Sequence, residues 1–108
     1  MIIAVDFDGT LCEFAFPEIG EIKAVHRKVI SFVREQHKKG ATIILWTCRE
    51  DLEERAYLSE AVMWCINNGI PVDLVNKNVN NETTKGFAMR KVNADLYIDD
   101  KAVNINSF

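Results

Sequence analysis

Apolar residues in this chain come in two kinds of run. Ile2-Ile3-Ala4-Val5, Ala41 to Trp46, Val72 to Val75 and Ala94 to Ile98 are short, uninterrupted by charge except at Asp73 and Asp95, and rich in β-branched residues. They predict buried strands. Ile22, Val25, Val29, Phe32 and Val33 instead fall at spacings of three and four, which predicts a helix from Glu21 with one buried face. Lys38-Lys39 suit its C-terminus and Gly40 a left-handed cap. A second helix is expected over 51–68 with Leu52, Ala56, Val62, Met63 and Ile66 inward, ended by Asn67-Asn68-Gly69 and blocked by Pro71. Cys12 to Gly20 and Asn76 to Asn81 read as loops. Thr83 to about Val92 reads as a brief helix weakened by Gly86. The tail over 101–108 carries no clear pattern.

Strands that alternate with helices predict an α/β fold with a parallel sheet and right-handed crossovers. Ligands of such sheets bind beyond the carboxyl ends of the strands. At 108 residues the chain is read as a single domain, 1–108. The net charge of −3, without a basic run, gives no electrostatic case for nucleic acid or a membrane surface. The three cysteines, Cys12, Cys48 and Cys65, are odd in number and widely spaced. That argues against a disulfide framework or a zinc site and for reduced thiols, hence a cytoplasmic location. Asp6 interrupts the first apolar run, so neither a signal peptide nor a membrane span is expected there.

The chemistry gathers where the strands end. Strand one runs into Asp6-Phe7-Asp8-Gly9-Thr10. Residues two apart in a strand face the same side, and two neighbouring carboxylates favour a cation between them. With oxygen ligands only, that cation is expected to be magnesium. Asp-Gly is also a common turn dipeptide, and Asp-x-Asp opens calcium loops, but here Gly9 follows Asp8 directly, with no third spaced ligand before the glycine. Strand two ends in Thr47-Cys48-Arg49 and strand four in Asp99-Asp100, so a parallel sheet would carry all of these to one edge. Arg49, just before a helix start, is placed to fork onto an anionic group. His26 and His37 read as solvated helix residues, and Trp46 and Trp64 as core. Cys48 has no histidine at a recognisable spacing to activate it.

Asp6-Phe7-Asp8-Gly9-Thr10 after an apolar strand, together with Leu45-Trp46-Thr47 and Tyr97-Ile98-Asp99-Asp100, resembles motifs of the haloacid dehalogenase-like phosphatases. The resemblance implies a three-layer Rossmann-like fold with strand order 3-2-1-4. It implies that Asp6 is the nucleophile and Asp8 the general acid/base. Magnesium would be held by Asp6, Asp8, Asp99 and Asp100, with Asp99 the better candidate for a direct ligand. Gly9, Thr10, Thr47, Cys48 and Arg49 would surround the phosphoryl group. The family also uses a lysine, usually from a helix start, which favours Lys85 with Lys77 as the alternative. Lys91 precedes strand four and belongs roughly 20 Å or more from Asp99 at strand rise.

This chain departs from many family members in having no room for a cap domain after strand one or strand three. An open site suits a phosphorylated small molecule or a macromolecular end, or a neighbouring subunit of a homo-oligomer as cover. The expected activity is magnesium-dependent hydrolysis of a phosphomonoester through an aspartyl-phosphate. The alternative is a phosphate- or metal-binding regulatory module, receiver-like, with little turnover.

Overall fold

The structure, a computed structural model, describes residues 1–79 and 92–99. Lys85, Lys91, Asp100, most of the expected third helix and the tail lie outside the described residues. Four strands, β1 (Ile2–Val5), β2 (Thr42–Leu45), β3 (Leu74–Val75) and β4 (Leu96–Ile98), form one sheet in the order β3-β2-β1-β4. Every pairing is parallel, with Val5 beside Leu45 on one flank and Ile98 on the other. The order is the one that the resemblance implied.

Central strands of a parallel sheet are covered on both faces, which is why β1 and β2 carry no alternation of polar residues. Ile3, Val5, Ile43, Leu45 and Ile98 share a core with Val29 and Val33 of α1 (Ala24–Lys38) and Ala61 and Cys65 of α2 (Tyr57–Asn67). On the opposite face Ala4 and Ile44 pack with Val92, Trp46 and Tyr97. The Tyr97 hydroxyl donates to the Val92 carbonyl at 2.6 Å and accepts from Ala94 N–H, so this half-buried ring has its polar end satisfied. Two acids tie off the N-terminal edge: Asp95 accepts from Ile2 N–H and Asp73 from Ile43 N–H, both at 2.7 Å.

Both helices differ from expectation at their starts. Helix α1 begins at Ala24 rather than Glu21, where His26 Nδ1 accepts the Lys23 N–H at 2.9 Å. His26 is 5% exposed, so the reading of it as a solvated residue is corrected. Helix α2 begins at Tyr57 rather than Asp51 because polar contacts hold the preceding segment out of the helix. Asp51 accepts from Ser59 N–H and hydroxyl, and so supplies the cap of a helix whose start it had been expected to occupy. Leu52, Met63 and Ile66, expected inward, are about half exposed at 49%, 55% and 60%. The small pair Ala61 and Cys65, one turn apart, faces the sheet instead, and Trp64 meets the edge of Phe7 with ring centroids 5.4 Å apart. Burial pushes the Cys65 thiol up to about 12 and the Cys12 thiol to about 11.

Burial also holds the His26 imidazole below its ordinary pKa, with the Lys23 charge acting the same way against Glu13. The folded protein therefore prefers the neutral ring, which the bond to Lys23 N–H also requires. Below the ordinary histidine pKa the unfolded chain takes up the proton first, so stability is lost as pH falls from that value through the lowered one. Thermal unfolding between pH 7.5 and 5 is expected to show this loss, and His26→Gln to flatten it. An unchanged pH slope in the variant would contradict the assignment.

Candidate active site

One residue beyond the last paired positions, the sheet presents a row. Asp6 N–H donates to the Ile98 carbonyl, Trp46 N–H to Val5 and Asn76 N–H to Leu45, each at 2.9 Å. The row thus reads Asn76, Trp46, Asp6, Asp99, with neighbouring strands about 4.8 Å apart. By strand alternation Asp6 and Asp99 project to the same side. The Asp6 carboxylate is oriented by accepting the Phe7 N–H at 2.7 Å.

The chain then folds back on itself. Gly9, at φ 86°, makes the left-handed turn that other residues enter at a cost, and its N–H donates to the Cys12 carbonyl. Thr10 and Leu11 both donate to the Phe7 carbonyl. Phe7 points into the core while Asp8 turns toward Arg49. The Thr10 hydroxyl is fully buried and has no hydrogen-bond partner among the described residues.

Arg49 is the most heavily engaged side chain here. Its Nε and Nη2 donate to the two carboxylate oxygens of Asp8, both at 2.9 Å. Nη2 also donates to the Glu18 carbonyl at 3.0 Å, and Nη1 makes longer contacts of 3.4 Å to the carbonyls of Pro17 and Tyr57. A guanidinium has five N–H groups, and all five are accounted for. The side chain is 1% exposed and lies between two aromatic rings, 5.1 Å from the Phe7 centroid and 4.9 Å from that of Phe16. Sequence reasoning placed Arg49 as an anion ligand; in the structure its donors are directed at protein oxygens. Its acceptors could not be named from spacing, because Asp8, the 17–18 loop and Tyr57 meet only in the folded chain.

Thr47 stands at the end of β2, 1% exposed, and its hydroxyl accepts Arg49 N–H at 3.1 Å, which leaves its own hydrogen to donate. Its backbone is clamped by a residue that the sequence reading passed over. Asn76 Oδ1 accepts Thr47 N–H at 2.9 Å, and Asn76 Nδ2 donates to the Thr47 carbonyl at 3.0 Å. Asn76 holds φ 50°, a left-handed conformation that asparagine tolerates better than most residues. An asparagine directly after a strand was the available signal.

Cys48 is exposed, and partial burial beside the Asp6, Asp8 and Glu50 carboxylates pushes its thiol pKa up, so it is a poor nucleophile. Lys77 is exposed two residues past β3. The loop over Cys12–Gly20 is closed at its base by Glu13 N–H donating to Glu21 at 2.8 Å; a Cβ on Gly20 would lie 2.1 Å from the Glu13 carbonyl oxygen. Arg55 reaches this loop at the Glu18 carboxylate and α2 at Glu60. A cleft of about 460 Å³ lined by Arg34, His37 and Ile66 lies at the C-terminal ends of the two helices, away from this edge.

Among the described residues no three His, Cys, Asp or Glu side chains gather as a ready metal cage. Magnesium does not need one: it takes one or two carboxylates and keeps waters or a phosphate oxygen. Asp6, Asp99 and the Asp8 backbone carbonyl are hard oxygen donors of that kind, while the Asp8 carboxylate is committed to Arg49. The donor set fits magnesium and does not fit zinc.

Two stability predictions follow from these contacts. Arg49→Leu strands the Asp8 carboxylate and is expected to cost about 3–5 kcal/mol in urea unfolding; a loss below about 1 kcal/mol would contradict a buried, fully engaged pair. Thr10→Val replaces a hydroxyl with no partner by a methyl group and is expected to leave the melting temperature unchanged or raised. A clear decrease would show that the hydroxyl is bonded.

No known family model and no curated protein matches this chain. Among the described residues no helix is long and apolar enough to cross a membrane. A solved structure of a conserved protein from Bacteroides thetaiotaomicron is similar with a TM-score of 0.73 and 39% sequence identity, over 95% of this chain and 78% of that one. At that identity and coverage, this chain belongs to the same family as the conserved Bacteroides protein.

Proposed function

We propose that the protein is a magnesium-dependent phosphomonoester hydrolase working through an aspartyl-phosphate. The observation that carries this reading is that Asp6 and Asp99 stand level at the carboxyl edge, each one residue past the paired Val5 and Ile98, with Thr47 one residue past Trp46 of the same row. The likeness of the motifs to those of haloacid dehalogenase-like phosphatases supports it. In this reading an Asp6 carboxylate oxygen attacks phosphorus and the ester oxygen departs with a proton from Asp8. Water then attacks phosphorus, gives its proton to Asp8, and the P–O bond to Asp6 breaks to release phosphate. The Thr47 hydroxyl and a lysine, Lys85 or Lys77, offset the phosphoryl charge. Magnesium, when held by Asp6, Asp99 and the Asp8 carbonyl, screens the carboxylate from the incoming phosphate and polarises its P–O bonds.

Between β1 and α1 the chain spends its length on the strapped loop, which is too short to fold as a cap. The proposed substrates are accordingly phosphorylated small molecules or macromolecular ends that approach an open edge. The test is hydrolysis of p-nitrophenyl phosphate. Chelation is expected to stop it, magnesium to restore it, and Asp6→Asn to lower kcat by at least about 10³-fold. An Asp6→Asn protein as active as the parent would overturn the reading. A phosphoprotein that accumulates without phosphate release would favour the regulatory alternative.

A further inference from the structure

We infer that Arg49 is a positioning residue for Asp8 and not a ligand of the phosphoryl group. The inference rests on the hydrolase reading above and adds to it the device that aims its acid/base. Both Asp8 oxygens are held in a two-point fork at 2.9 Å, which fixes the plane of the carboxylate as well as its place. The guanidinium is itself immobile, since its remaining N–H groups meet the carbonyls of Pro17, Glu18 and Tyr57 and its faces are covered by Phe7 and Phe16. No N–H is left over for a phosphate. Without this fork, Asp8 would turn freely about two side-chain torsions beside the like-charged Asp6. Arg49 also ties the aim of Asp8 to the 13–20 loop through the Pro17 and Glu18 carbonyls.

A structural salt bridge and a positioning residue differ in what they do to different leaving groups. An alkoxide needs a proton from Asp8 as it departs, whereas p-nitrophenolate leaves without one. The experiment compares glycerol phosphate with p-nitrophenyl phosphate in the parent and in Arg49→Lys, which keeps the charge but loses the fork. Both esters share the later hydrolysis of the aspartyl-phosphate, so the comparison is of kcat/KM, which reports the steps through departure of the leaving group. The expected loss is about 10²-fold or more on glycerol phosphate and below about 10-fold on p-nitrophenyl phosphate. Equal losses on both esters, or a raised KM on both, would overturn the inference while leaving the hydrolase reading intact. A parent that hydrolyses neither ester would overturn both. Should Arg49→Lys fail to fold, Phe16→Leu removes the ring 4.9 Å above the guanidinium without altering the fork's atoms. It is expected to lower the same ratio to a smaller degree, and an unchanged ratio in a folded Phe16→Leu protein would overturn the inference.

Discussion

A charged guanidinium taken out of water is the constraint around which the carboxyl edge of this sheet is arranged. Moving such an ion into a protein interior costs several kcal/mol even after relaxation, and only complete hydrogen bonding with an opposite charge offsets it. Arg49 meets that condition through Asp8 and three carbonyls. Those acceptors come from the turn after β1, the loop before α1 and the first residue of α2, while Arg49 itself follows β2. Four separate segments must therefore be in register before the charge is compensated. One of the two rings that cover the guanidinium, Phe7, belongs to the hydrophobic core, so core packing and edge geometry are mechanically one unit.

The sheet supplies the other half of the arrangement. Parallel pairing brings the ends of β1 and β4 level, which sets Asp6 and Asp99 side by side. Asn76, directly after β3, extends the same row and grips Thr47 by both its N–H and its carbonyl. Around this, the Glu18–Arg55–Glu60 bridges sit at the surface. Hydrogen bonds from Arg55 hold the Glu18 and Glu60 carboxyls below their usual pKa, but exposed pairs of this kind add little to stability. Their service is to hold the 13–20 loop against α2, beside the residues that Arg49 anchors.

How much of this was readable follows from where each signal resides. Strands packed on both faces leave apolar runs, so β1, β2, β4 and their polar endings stood out, and with them Asp6, Thr47 and Asp99. The phase of α2 did not, because nearly every face of that segment carries an apolar residue. Ala61 and Cys65 were chosen over Met63 and Ile66 by close approach to the sheet, a tertiary effect. His26 looked like a surface residue because its role, accepting the Lys23 N–H at a helix start, depends on one bond and not on periodicity. Asp8 and Arg49 were each singled out, but their mutual commitment spans 41 positions and is invisible to spacing. The candidates Lys85 and Asp100 fall outside the described residues.

The central claim is that Asp6 carries the phosphoryl group during turnover. An acyl-phosphate is reduced by borohydride to the corresponding alcohol, so quenching the enzyme during turnover of p-nitrophenyl phosphate and sequencing its peptides by mass spectrometry reads the site directly. Conversion of Asp6 alone to homoserine, dependent on both substrate and magnesium, is the predicted result. Steady turnover with Asp6 unmodified, or with the label on another carboxylate, would contradict the account.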